Sequence, residues 1–241
     1  MLILALDSTA QVGSVALCED ETLVAEFTIN TGHTHSETLL PMVEAALKIA
    51  GYTVDNVDLF ACTAGPGSFT GVRIGAATVK GIAFGKGKPC IGVSTLEVLA
   101  YNGEALEGIL CPAMNARRQQ VYNALFDSDG RTVTRLCEDR PLAITELGAE
   151  LSEKYPDRPM YLMGDGASLV YDALAEQLGP RLKLLPERLL HQSGYHTAQA
   201  ALRLWREGVC TSDTELQPTY LRPSQAERVR MEKLGNGKDA E

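Results

Sequence analysis

Short apolar blocks, separated by charged or turn-forming residues, fill the first thirty positions of the chain. Residues 2–7, 13–18 and 23–29 form such blocks and predict three β-strands. Glu19-Asp20-Glu21 predicts the turn between the second and third strands. Because strands joined by short turns pair antiparallel, the pattern predicts a three-stranded antiparallel start.

Helix-type spacing begins after this point. Apolar residues recur every three or four positions over 39–50, and we favour a helix cap at Thr38 over Thr34 because Pro41 is best tolerated near a helix start. Residues 57–63 and 89–93 predict two further strands, and residues 71–85 and 96–101 predict two further helices. The order β-β-β-α-β-α-β-α predicts a mixed sheet with helical crossovers.

The second half of the chain repeats this theme. It predicts strands at 109–114, 120–126 and 159–163, a turn at 127–130, and helices at 144–154, 167–178 and 197–207. A polar, glycine-containing stretch at 102–108 separates the halves. We therefore predict a duplicated α/β fold with an N-terminal lobe (1–104), a C-terminal lobe (105–225), a cleft between them and a charged, frayed tail (226–241).

Composition and charge narrow the classes of function. Of the 241 residues, 45% are hydrophobic and 22% are charged, which is typical of a globular protein. The formal net charge of −9 argues against direct nucleic-acid binding, so we expect contact with RNA to be indirect, through a basic partner. No apolar run is long enough for a membrane span, and Asp7 interrupts the first apolar run, so we predict a cytoplasmic protein without membrane attachment. Six cysteines without a CxxC spacing predict reduced thiols.

A glycine-rich loop is the most distinctive segment. Gly65, Gly67 and Gly71 lie with Ser68 between a predicted strand and a predicted helix. Such a loop can present backbone N–H groups to an anion, although it matches neither the Walker A nor the Rossmann pattern. The alternative interpretation is a tight turn that lets the helix pack closely on the sheet.

Asp7, at the end of the first strand, is the second candidate for chemistry. Beside Ser8 and Thr9, its carboxylate could hold a magnesium-bound nucleotide or could accept the N–H groups of a turn. Asp7, Gly65, Gly67 and Ser68 are therefore weak candidates for nucleotide binding. No catalytic set, paired carboxylates or metal cluster is recognisable, so we predict no catalytic residues, no metal site and no cofactor.

The second predicted helix is unusually rich in small residues. Gly71, Gly75, Ala77, Gly81 and Gly85 recur along it, and each interior glycine costs about 1 kcal/mol relative to alanine. These glycines need a compensating close contact, either with the chain's own sheet or with a helix of another subunit. The first helix has an apolar arc wide enough to serve both the core and a partner.

Four segments together resemble a known family: LALDST (4–9), HSETLLP (35–41), GPGSFTGVRIG (65–75) and GVSTL (92–96). They are similar to the TsaB (YeaZ) family, and the resemblance is strong over residues 1–100 and weak at 116–122 and 218–222. The resemblance implies the two-lobed ASKHA fold, which is RNase H-like and is shared by actin, hexokinase and Hsp70. It also implies a part in making N6-threonylcarbamoyladenosine at position 37 of ANN-decoding tRNAs.

The resemblance further implies a non-catalytic role. The related catalytic subunit, TsaD, holds a metal with an HxxxH motif at positions that correspond here to Thr95 and Leu99. A scaffold that binds TsaD is therefore expected, with TsaE reached through the complex. The family's contact surface lies on the first two helices, which implies interface positions at Leu39, Leu40, Val43, Leu47, Gly71, Gly75, Thr78 and Ile82. A homodimer through the same helices, an independent ATP-binding ASKHA enzyme and a peptidase acting on its partner stay as alternatives.

Overall fold

Two β-sheets with helices on their faces make up the part of the chain that the computed structural model describes, residues 1–222. The predicted tail at 226–241 lies outside the described residues. Within residues 1–222, no helix combines the length and the apolar character that crossing a bilayer requires.

The first sheet contains the strands expected from the apolar blocks. Its members are β1 (Leu2–Asp7), β2 (Gly13–Glu19), β3 (Thr22–Ile29), β4 (Leu59–Gly65) and β5 (Cys90–Ser94), in the order β3-β2-β1-β4-β5. Strand β1 pairs antiparallel with β2 and parallel with β4. All six residues of β1 are buried, because helices cover both faces of the sheet at this strand.

Helices α1 (His35–Ala50) and α2 (Phe69–Ala83) cover one face of this sheet, while α3 (Thr95–Ala100) and α6 (Gly194–Arg206) pack on the other. Helix α1 starts at His35 with Thr34 as its cap, so the predicted cap at Thr38 is wrong. The Glu37 carboxylate accepts hydrogen bonds from the N–H (3.0 Å) and the hydroxyl (2.8 Å) of Thr34, which fixes the earlier start. Pro41 is exposed, so water can reach the carbonyl that loses its helical partner.

The second sheet runs in the order β10-β7-β6-β11-β12, with β8 and β9 attached to β6. Its strands are β6 (Glu107–Asn115), β7 (Gln120–Asn123), β8 (Phe126–Asp129), β9 (Val133–Arg135), β10 (Arg140–Ala143), β11 (Met160–Met163) and β12 (Leu182–Leu184). Helices α4 (Ile144–Lys154) and α5 (Ala167–Leu178) have the predicted bounds and share one core with it. Single 3₁₀ turns occur at Val54–Asn56, Tyr101–Gly103, Gly179–Arg181 and Glu187–Leu189.

The predicted strand at 120–126 is divided into β7 and β8. Strand β7 pairs with the end of β6 from Ala113 onward, and β8 pairs with its beginning. The residue of β6 that precedes Ala113 is Pro112, which has no N–H to donate to a ladder. Instead, the Asn123 side-chain amide donates to the Pro112 carbonyl at 2.9 Å. Strand β8 extends to Asp129, so the turn lies later than the predicted 127–130.

The last helix, α6, returns to the first sheet. Ala198, Ala201 and Leu202 pack with Ile3 and Ala5 of β1 in one apolar cluster. Sequence periodicity identified this helix but assigned it to the C-terminal lobe at 105–225. The alanine-rich face of α6 lets the helix approach the small side chains on this side of the sheet closely.

Candidate interlobe cleft and helical surface

The glycine-rich loop after β4 packs directly against the turn after β1. A Cβ atom on Gly67 would lie 2.5 Å from the Thr9 carbonyl oxygen, and one on Gly71 would lie 1.9 Å from the Ser8 carbonyl oxygen. The Ser68 N–H donates to the Thr9 carbonyl at 2.7 Å. The two segments that were candidates to hold phosphate therefore touch each other, and the Ser68 N–H already has a partner within the chain.

The glycine at position 65 allows a third close approach, between the loop and the backbone of Thr219. Its φ is +119°, and a Cβ atom there would lie 2.6 Å from the Thr219 carbonyl oxygen. The Thr219 N–H donates to the Ala64 carbonyl at 2.7 Å, which holds the segment in place. Close backbone packing thus accounts for the glycines of the loop, and the geometry favours this interpretation over phosphate binding.

Ser68 has a structural role at the start of α2. Its hydroxyl oxygen accepts a hydrogen bond from the Gly71 N–H at 3.3 Å and caps the helix. No histidine side chain within residues 1–222 is hydrogen-bonded to this hydroxyl. The described geometry therefore assigns this hydroxyl to helix capping.

Asp7 is fully buried at the end of β1 and is not among the residues that line the cleft. Its Oδ1 atom accepts hydrogen bonds from the Thr9 N–H (3.0 Å) and the Thr9 hydroxyl (3.1 Å). Burial raises the pKa of this carboxyl, while the bonds from Thr9 act in the opposite direction. The arrangement is that of a carboxylate stabilising a turn.

Asp7→Asn should flatten the dependence of stability on pH. Because the pKa of Asp7 is raised on folding, the folded state binds more protons than the unfolded state between the two pKa values. Stability is therefore lost as pH rises through this window.

Asparagine at position 7 keeps an acceptor for Thr9 and carries no charge. Urea denaturation from acidic to neutral pH should show Asp7→Asn at least as stable as the parent at pH 7. Asp7→Ala, which lacks the acceptor, is the control, and a loss at neutral pH in Asp7→Asn would contradict the prediction.

A cleft of about 620 Å³ lies between the two sheets. Its lining includes Thr9, Gln11, Gly67, Ser68 and Phe69 from the first sheet's side and Asn115, Arg117, Tyr122 and Asp165 from the second. The Asp165 carboxylate accepts a hydrogen bond from the Asn115 N–H at 2.9 Å.

Within residues 1–222, no three histidine, cysteine or acidic side chains are grouped as metal ligands. Cys18, Cys62, Cys90 and Cys111 are free and buried, and burial raises the pKa of the Cys62 thiol to about 12. These thiols therefore remain protonated at neutral pH.

The predicted interface positions divide into two groups. Leu39, Val43 and Leu47 are buried in the core that α1 shares with the first sheet. Gly71 and Gly75 face the turn after β1, where a Cβ atom on Gly75 would lie 2.6 Å from the hydroxyl oxygen of Ser8. These five positions are filled by the chain itself, because apolar periodicity identifies the core side of a helix before it identifies a partner side.

The remaining positions face outward, together with residues of α2 that were not predicted as interface positions. Leu40 is 48% exposed, and Thr78 and Ile82 are half-buried. Nearby on α2, Ala77 and Gly81 are exposed, and Phe84 at the end of the helix is 75% exposed. We call these six residues the outer face of α1 and α2: Leu40, Ala77, Thr78, Gly81, Ile82 and Phe84.

Gly81 is the informative member of the outer face. A Cβ atom there would meet no other atom within 4 Å, so internal packing does not explain a glycine inside this helix. The sequence signal was its position four residues after Ala77, a spacing that places two small residues on one side of a helix.

Two α/β units around a cleft, with a hairpin turn and a glycine-rich loop meeting at its edge, define a protein of the ASKHA class. The chain belongs to the TsaB (YeaZ) family within that class. The family model described as "TsaD: tRNA N6-adenosine threonylcarbamoyltransferase" matches residues 23–227.

Individual relatives agree with this membership. TsaB of Escherichia coli (strain K12), named as a tRNA threonylcarbamoyladenosine biosynthesis protein, is 31% identical over 92% of this chain and 95% of its own length. TsaB of Bacillus subtilis (strain 168) is 32% identical over 75% of this chain and 78% of its own. The solved structure of YeaZ from Pseudomonas aeruginosa superposes with a TM-score of 0.76 and 27% identity, covering 91% of this chain and 99% of that one.

Proposed function

We propose that this chain takes part in tRNA threonylcarbamoyladenosine biosynthesis as a non-catalytic subunit that binds TsaD. Family membership supports both the pathway and the subunit type. A tRNA N6-adenosine threonylcarbamoyltransferase of Novosphingobium aromaticivorans is 32% identical, but the match covers only 47% of that enzyme. The match to TsaB of Escherichia coli covers 95% of that protein. In this proposal the complex adds threonylcarbamoyl to adenosine 37 of ANN-decoding tRNAs, and TsaE is reached through TsaD.

The positions that correspond to the metal-binding motif of TsaD support a non-catalytic role. Thr95 is the first residue of helix α3 and Leu99 is the last but one, and both are fully buried. Leu99 packs in the core of the second sheet. Its hydrocarbon side chain has no atom that can ligate a metal, and neither residue replaces an imidazole there.

The exposed residues on the outer face of α1 and α2 support the proposal that this surface binds a partner. Gly81 has open space above it, and Phe84, three residues further along, exposes a large apolar side chain. Leu40 exposes another on α1. A helix with small residues at its centre and apolar residues around them lets the backbone of a partner helix approach closely. The same surface would support a homodimer of the free protein, which TsaD would then displace.

Light scattering on the full chain, alone and mixed with TsaD of the same organism, tests this proposal. We expect a one-to-one complex whose mass replaces that of the free protein, whether the free protein is a monomer or a homodimer. Addition of TsaE should increase the mass only when TsaD is present. Two unshifted species in the presence of ATP and tRNA would contradict the proposal.

A further inference from the structure

Three arginines and three aromatic rings line the interlobe cleft or contact residues that line it. Arg73 on α2 donates to the Tyr220 hydroxyl at 2.8 Å, and its guanidinium lies 4.8 Å from the ring centre of Phe69. Phe69 and Tyr220 stack with ring centres 4.3 Å apart and planes inclined by 12°. Tyr220 remains 41% exposed, so this stack is open to solvent.

The second lobe supplies the other members. Arg117 lines the cleft from the turn between β6 and β7, and Tyr122 on β7 lines it as well. The guanidinium of Arg222 lies 5.8 Å from the ring centre of Tyr122. We call these six residues the arginine–aromatic rim: Phe69, Arg73, Arg117, Tyr122, Tyr220 and Arg222.

The positive charge of the rim is not neutralised within the described chain. None of its three arginines has a carboxylate of residues 1–222 within ion-pair distance. Of the nine other arginines in residues 1–222, five pair with at least one carboxylate and four do not. The paired ones are Arg135, Arg140, Arg158, Arg203 and Arg206. Asp165 is the one carboxylate among the described residues that line the cleft. Counting the described residues alone, the cleft lining and its neighbours therefore carry a local excess of positive charge, although the net charge of the chain is −9.

Local charge decides short-range contacts in physiological salt, because screening limits the reach of distant surface charges to about 8 Å. Arginines interleaved with exposed aromatic rings are the features that bind unpaired bases and their phosphates. A concave cleft of about 620 Å³ accepts a base-sized group and excludes a duplex. The net negative charge of the rest of the chain disfavours long contacts with a polyanion, so the bound segment is short.

From this arrangement we infer that the arginine–aromatic rim is a binding surface for a short segment of single-stranded RNA. The phosphates lie against the arginines, and at least one base stacks on the exposed ring of Tyr220. This inference revises the expectation of purely indirect tRNA contact that the overall charge suggested. It does not depend on TsaD binding, because the rim and the outer face of α1 and α2 share no residue.

Fluorescence anisotropy of the full chain with a labelled single-stranded RNA of about ten nucleotides tests the inference. The triple variant Arg73→Gln/Arg117→Gln/Arg222→Gln should bind at least about tenfold more weakly. The slope of log affinity against log salt should fall in magnitude by about 2, at roughly 0.7 per lost phosphate contact. Tyr220→Leu should also weaken binding about tenfold but should leave this slope unchanged, because stacking releases no counterions.

Arg131→Gln is the matched control, since Arg131 is exposed. It follows the end of β8, which pairs with the start of β6, whereas the cleft lies at the other end of β6. This variant should bind RNA like the parent. If the triple variant unfolds, the single variant Arg117→Gln replaces it in the test, because Arg117 is exposed. The single variant should show about one third of the change in slope. No binding by the parent at low salt, unchanged binding by the arginine variants, or equal displacement by AMP and by unlabelled RNA would overturn the inference.

Discussion

Gly71→Ala should lower the melting temperature of this protein by roughly 6–12 °C, corresponding to a loss of about 3 kcal/mol. The added methyl group would be placed 1.9 Å from the carbonyl oxygen of Ser8. That oxygen belongs to the backbone, so the clash cannot be relieved by a side-chain rotation. Either α2 or the turn after β1 has to move, and the hydrogen bond from the Ser8 hydroxyl to the Gly71 carbonyl, 2.9 Å long, would be strained with it.

Gly81→Ala on the same helix is the matched control for this prediction. Its methyl group would meet no atom within 4 Å, so only the intrinsic helix preference of alanine remains. We expect a gain of up to about 1 kcal/mol in the free energy of unfolding. Thermal melts followed by circular dichroism compare the two variants. A Gly71→Ala protein that melts within the error of the parent would show that the two segments are not in contact in solution.

Ala77→Glu should weaken TsaD binding by at least about 100-fold while leaving the fold intact, if TsaD occupies the outer face of α1 and α2. Ala77 is exposed in the free chain, so a glutamate there is hydrated and costs little. In a close helix–helix interface the same carboxylate would be buried without a partner, at a cost of about 3 kcal/mol or more. Isothermal titration with TsaD measures the change in affinity.

Ala173→Glu provides the control, because Ala173 is also an exposed helical alanine but lies on α5 in the second lobe. It adds the same charge and should leave TsaD affinity unchanged. Equal losses in both variants would indicate a nonspecific effect of charge, and normal binding by Ala77→Glu would place the interface elsewhere.

Local sequence patterns were sufficient for elements whose limits depend only on their own residues. Strand β1 and helices α4 and α5 have the predicted bounds, because an apolar block or an apolar stripe ends where polar or turn residues begin. Helix α1 starts earlier than predicted although its signal is local: Thr34 and Glu37 form the capping pattern, whereas Pro41 favours a later start.

Other features required knowledge of neighbours that are distant in sequence. The break between β7 and β8 depends on Pro112 of a facing strand, and the position of α6 depends on the small side chains of the first sheet. The candidate sites show the same limit. Gly71 and Gly81 are indistinguishable in a pattern of small residues, but one faces a carbonyl group and the other faces open space.

The return of α6 to the first sheet has a consequence for how the chain is made. While the protein emerges from the ribosome, α3 covers only part of the side of the first sheet that contains Ile3 and Ala5, and the rest has no cover until residue 202 has been synthesised. The N-terminal half therefore cannot complete its core during synthesis, as a domain with contiguous sequence can. Until then it exposes an apolar surface that chaperones recognise, and a nascent chain truncated before α6 should be a preferred substrate for them.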